Sequence, residues 1–175
     1  MEFHEPECEE ELETHGKAAV TACQAELEQM FKTKEVLVAV KWDEMTSEQK
    51  EKVIRSHMFL KEKYDAAGTF EKLKARLVGD GRMQDRNVYV NKSSPTAAVS
   101  SLLSCLKIAA MEDRKMMKID IGGAYLNADI DDEEEVFMEL DRELTKLAVH
   151  WMPELKPFVR EDGRLIVKVT KALYG

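Results

Sequence analysis

The 175-residue chain has no apolar run near the roughly 20 residues a membrane-crossing helix needs. Its first residues, "MEFHEPECEEELE", are acidic where a secretion signal would be basic and then apolar. Both absences argue against the membrane and the secretory route, and the expected location is the cytoplasm or nucleus. Cysteine is scarce. Cys8, Cys23 and Cys105 are an odd number, widely spaced and without a C-x-x-C pair, so a disulfide framework or a zinc site is not expected. The four histidines form neither H-E-x-x-H nor a triad spacing, which removes support for histidine chemistry. No internal repeat or low-complexity linker interrupts the chain.

What is present is a composition of 44% hydrophobic and 34% charged residues, enough for one globular domain or one domain with an arm. The net charge of −8 is unevenly placed. Residues 1–35 hold 3 basic and 10 acidic residues, whereas residues 50–92 hold 11 basic and 6 acidic ones. A phosphate meets the local field, so the acidic total leaves a basic nucleic-acid-binding surface open, beside the plainer reading of a solvated mixed surface.

Periodicity predicts a helix from about Glu9 to Lys34, with Leu12, Ala19, Cys23, Leu27 and Met30 along it. Val36–Trp42 is β-branched and predicts a strand. Thr46 with Gln49 three residues on is a capping-box pattern that opens a short helix. "FLKEKYDAAGTFEKLKARLVGDGR" predicts two basic strands joined near Ala66–Gly68. "SSPTAAVSSLLSCLKIAAME" predicts a helix capped at Ser94, with Pro95 in its first turn and Val99, Leu102, Leu103, Leu106 and Ala110 as an apolar stripe. A strand at Met116–Ile121, a turn or short helix at Gly122–Asn127, the strand "EVFMEL", the helix "DRELTKLAVHW" and the strand in "RLIVKVTKALYG" complete the pattern. Helices and strands mix without a βαβ rhythm, so the expected class is α+β. A last strand that runs into Gly175 suggests a piece of a longer protein.

Two loops fail as ligand motifs. From Asp129, "DIDDEEE" puts Glu134 and Leu140 where a calcium loop needs Gly and Glu, so it reads as a solvated acidic loop. "GDGRMQ" lacks a third glycine at Gln84 and reads as a turn. Asp120 is less easily dismissed. On pattern alone it is a strand-end cap or turn residue, but a sheet would hold its carboxylate rigidly, as a hard cation such as Mg²⁺ requires. Gly122–Gly123 would leave room for a triphosphate against the backbone, and Tyr125 would offer a ring beside it.

"KARLVGDGRMQDR", "SSPTAAVSSLLSCLKIAAMEDRKMMKIDIGGAYLNADI", "VFMEL" and "VKVTKALYG" follow one another as in the reverse transcriptases of copia-type LTR retrotransposons, which the chain resembles over roughly residues 16–175. Gly122 and Ala128 stand where many such sequences have Lys and Gly. The resemblance implies an acidic helical arm at 1–35, then fingers and the opening part of a palm over 36–175. It implies RNA-directed DNA polymerisation by two Mg²⁺ ions, with dNTPs and an RNA or DNA template-primer. Asp120 would be a catalytic metal ligand, and the Ile121 carbonyl would add a ligand to the second metal. Lys74, Arg76, Gly122, Gly123, Ala124 and Tyr125 would contact the nucleotide, with Tyr125 as an aromatic sugar gate. The family's second substrate motif and paired aspartates are absent, so the chain is expected to be inactive alone. The rest of a Gag-Pol polyprotein (remaining palm, thumb and RNase H) would be its partner, in a cytoplasmic virus-like particle and the nucleus, with no membrane. The alternative is a non-enzymatic retroelement remnant or a co-opted binding module.

Overall fold

β-branched and aromatic runs separated by polar turns build a five-stranded mixed sheet in the computed structural model, which describes residues 16–83, 96–130 and 135–173. The described residues fall in two compact units, one drawn from 1–84 and 124–175, the other from 85–123.

The first unit contains the sheet. Its strands are β1 (Leu37–Val40), β2 (Ile54–Tyr64), β3 (Phe70–Gly79), β4 (Val136–Leu140) and β5 (Leu165–Val169), in the spatial order β1-β5-β4-β2-β3. Neighbours pair antiparallel except β2 and β4, which run parallel through Ile54↔Met138 and Arg55↔Glu139. The central strands β4 and β5 are apolar on both faces, and Met138, Leu140, Leu165, Ile166 and Val167 are fully buried. β2 instead alternates: Ile54, Ser56, Met58 and Leu60 point in, while Arg55, His57, Phe59 and Lys61 point out.

Helix α1 (Lys17–Glu28) lays Ala19, Cys23, Glu26 and Leu27 against the β3 side of the sheet, then widens into a π turn at Gln29–Thr33. Helix α2 (Ser47–Glu51) starts with the expected capping box: the Gln49 N–H donates to Thr46 Oγ1, and the Thr46 N–H donates to Gln49 Oε1. Below it, Met45, Phe137 and Ile166 form a small apolar cluster with Trp42 against it, and the Arg160 guanidinium lies 4.1 Å from the centre of the Trp42 ring.

The β2–β3 hairpin closes where the sequence predicts. Asp65 Oδ1 accepts the Ala67 and Thr69 N–H groups, and Gly68 takes the left-handed φ of 81° that the turn requires.

The second unit contains helix α3 (Val99–Met111), entered from Ala98 without a side-chain cap. The expected cap at Ser94 and Pro95 lies outside the described residues. The predicted stripe of Val99, Leu102, Leu103, Leu106 and Ala110 is exposed rather than buried, and of this helix only Ala109 is buried among the described residues. The expected strand at Met116–Ile121 is a correction too. This stretch is irregular, and its Met117 is 81% exposed. The residues have β propensity, but a strand is stabilised by a ladder and a covered face. No described strand pairs with it.

Helix α4 (Arg142–Trp151) is the "DRELTKLAVHW" helix, capped by Asp141, whose Oδ1 accepts the Leu144 N–H at 2.8 Å. Residues 131–134, most of the acidic loop, lie outside the described residues, as do the first 15 residues and the closing Tyr174–Gly175. No described helix is long and apolar enough to cross a membrane.

Candidate functional site

Tyr125 opens a single 3₁₀ turn, Tyr125–Asn127, that is anchored by the fully buried Leu126. Two other segments hold this turn in place. Lys34 Nζ donates to Asn127 Oδ1 at 2.7 Å. The chain after β5 pairs with the residues that follow the turn: the Ile130 N–H donates to the Thr170 carbonyl, the Ala172 N–H donates to the Ala128 carbonyl, and Asp129 bridges Lys171. Lys171 Nζ and Thr170 Oγ1 then donate to the carbonyls of Lys34 and Glu35, both at 2.6 Å. Glu35 sits at a φ of 52°, an unusual conformation for a side-chain-bearing residue, within the elbow that these bonds fix. The stretches around Tyr125 and "VTKA", far apart in the sequence, thus form one clamp. The Tyr125 ring remains 46% exposed.

Lys74 and Arg76 lie two residues apart on the outward face of β3, while Leu73, Ala75 and Leu77 turn inward. Across the ladder, Lys61 faces Lys74, Lys63 faces Lys72, and Phe59 faces Arg76. Like charges directly opposite on one sheet face destabilise it. This face therefore concentrates positive potential beside an exposed aromatic ring, an arrangement suited to a phosphate-bearing ligand.

Asp120, Ile121, Gly122 and Gly123 belong to the other unit, where Asp120 is exposed on irregular backbone instead of ending a buried strand. Gly123 adopts a φ of 63°, which favours glycine. Gly122 does not, and a Cβ built on it would meet nothing within 4 Å. Its missing side chain therefore serves no packing need among the described residues.

The donor chemistry fits Mg²⁺ in kind, a carboxylate at Asp120 and a carbonyl at Ile121, both hard oxygens. Among the described residues no group of three or more His, Cys, Asp or Glu side chains could hold a metal. Lys74 and Arg76 share a face, and Ala124 and Tyr125 share a turn.

Two features escaped the sequence reading. The Lys34–Asn127 bond has no local signature, because a lysine and an asparagine in separate loops carry no spacing. Glu26 left a faint one, as a charge inside the apolar stripe of Cys23, Leu27 and Met30. It is buried, and its Oε1 accepts the Leu77 N–H at 3.1 Å. Elsewhere, the Arg82 guanidinium holds the Asp80 carboxyl below the usual range, and bonds from Gln49 and Lys168 do the same for Glu135.

The family model for reverse transcriptase (RNA-dependent DNA polymerase) matches residues 39–143, more than half of the chain. No curated protein and no solved structure matches it.

Proposed function

The chain belongs to the reverse transcriptase (RNA-dependent DNA polymerase) family, and from that premise we propose that it forms the nucleotide-receiving part of a copia-type enzyme. One observation carries this reading: Lys74, Arg76 and residues 120–125 all fall inside the matched stretch 39–143. In this reading the β2–β3 hairpin belongs to the fingers, the rest of 36–175 opens the palm, and 1–35 is an acidic arm.

Each residue has a distinct task. The Asp120 carboxylate and the Ile121 carbonyl would hold Mg²⁺, which when bound polarises the primer hydroxyl and the phosphate oxygens. Lys74 and Arg76 would neutralise the incoming triphosphate from the outward face of β3. Gly122, with no Cβ, would leave space for phosphate against the backbone, and Gly123 and Ala124 would contact the nucleotide beside it. Tyr125 would present its ring to the sugar, where a 2′-hydroxyl has neither room nor a partner. Template-primer, dNTPs and the remainder of a polyprotein would complete the assembly, in a cytoplasmic particle or the nucleus.

A two-metal site needs more carboxylate than Asp120 provides, so this chain by itself would not extend a primer. The purified chain on poly(rA)/oligo(dT) with Mg²⁺ should give background incorporation, and Asp120→Asn should leave it there. In a polymerase that includes this segment, the same substitution should abolish extension at every dNTP concentration. Extension that survives Asp120→Asn in that enzyme overturns the assignment. The basic hairpin face also suits the rival reading, a binding module without catalysis. That reading predicts nucleic-acid binding with no extension in any context.

A further inference from the structure

Lys34 and Lys171 are half-buried lysines that have no carboxylate partner among the described residues. Each ammonium is bonded to a neutral oxygen instead. Lys34 Nζ donates to the Asn127 side-chain carbonyl at 2.7 Å, and Lys171 Nζ donates to the Lys34 backbone carbonyl at 2.6 Å. Both charges therefore sit on one clamp, in one compact unit, at the turn that carries Tyr125. Both also lie outside the stretch 39–143 that the family model matches.

Partial desolvation of an ammonium costs free energy unless an opposite charge offsets it. Lys168 on β5, also half-buried, has such a charge in Glu135 at 3.0 Å. A carboxylate at position 127 would be the stronger partner for Lys34 in the same geometry. The Asn127 amide orients the ammonium and leaves its charge whole. Asp129 faces Lys171 across a β-bridge, yet it is exposed and makes no ion pair with it among the described residues. We infer that Lys34 and Lys171 form an anion site that takes a backbone phosphate of a nucleic-acid strand. The inference rests on the reading of residues 120–125 as nucleotide-receiving. A strand carries phosphates at intervals, so it can use this pair and the basic hairpin face together, whereas a free phosphate can use only one of them.

Anisotropy of a labelled oligo(dT) with the full 175-residue chain at several salt concentrations tests this, with amide exchange reporting on the clamp. Asn127→Asp keeps the side-chain shape and the bond to Lys34 but cancels the charge. Affinity should fall roughly three- to tenfold and the slope of log K against log salt by about 1. The amides of Ala128, Ile130 and Ala172 should exchange no faster. Lys34→Met/Lys171→Met should lower the slope by about 1.5, and Lys34→Arg/Lys171→Arg should keep the wild-type slope. A purely structural clamp predicts quicker exchange in the Met variant with the slope unchanged. A wild-type slope in both Asn127→Asp and the Met variant overturns the site. If these variants weaken binding of inorganic tripolyphosphate but not of the oligonucleotide, the occupant is a free phosphate and the strand assignment is overturned. A slope lowered by replacing Lys72, Lys74 and Arg76 with Ala, but not by these variants, removes this inference and leaves the hairpin reading standing.

Discussion

Lys34 and Asn127, 93 residues apart in the chain, meet through a 2.7 Å bond from Nζ to Oδ1 that joins the elbow before β1 to the turn carrying Tyr125. Lys171 donates to the carbonyl of the same Lys34, so the elbow, the turn and the end of β5 form one closed set of contacts. The turn that carries Tyr125 is thereby held by bonds from residues outside it.

Lys34→Ala should cost only about 0.5–1 kcal/mol of stability, the usual net contribution of such a bond. Its local effect should be larger. Amide exchange at Ala128, Ile130 and Ala172 should quicken while the amides of β4 and β5 stay protected. Unchanged exchange at all three would show that Leu126 alone holds the turn.

Stability should depend on pH through Glu26 with a definite sign. Its pKa in the folded chain lies above the ordinary value of 4.5. Its contribution is therefore fully present below that value and is lost as pH rises through the raised one. Asp80 and Glu135 are shifted down, so their contributions run the other way, present above the ordinary carboxylate range and lost in acid. The difference in denaturant midpoint between wild type and Glu26→Gln isolates the first effect. The variant should gain on wild type as pH climbs from 4 to 7, and a constant difference would show that Glu26 titrates normally.

The hairpin face should bind single-stranded nucleic acid weakly and with steep salt dependence. Replacing Lys72, Lys74 and Arg76 with Ala should reduce the slope of log K against log salt by about 2. Fluorescence anisotropy with a labelled oligonucleotide at several salt concentrations reads this directly. An unchanged slope would make these residues ordinary solvated surface.

Tyr125→Ala, in a polymerase that includes this segment, should raise ribonucleotide use and lower deoxynucleotide use only moderately. A hydroxyl without room or partner costs about 1–3 kcal/mol, so the ratio of kcat/KM for dTTP over UTP should fall by roughly one to two decades. A ratio that does not move would make Tyr125 a packing residue.

Local chemistry was legible from the residues alone. The Thr46–Gln49 capping box and the hairpin turn near Ala66–Gly68 each depend on neighbours a few positions away, and each formed as expected. The same local signal at Met116–Ile121 produced no strand, because propensity specifies which side chains share a face and cannot supply a ladder partner. The parallel seam between β2 and β4, the Glu26–Leu77 contact and the Lys34–Asn127 clamp were likewise invisible in the sequence. Each joins segments with no shared spacing. The sequence by itself determined which residues could be acidic, basic, aromatic or bare at the proposed site. Only the tertiary structure decided which strands pair and which segments clamp the 125–127 turn, since long-range register is set by burying apolar faces together and not by any pattern within one segment.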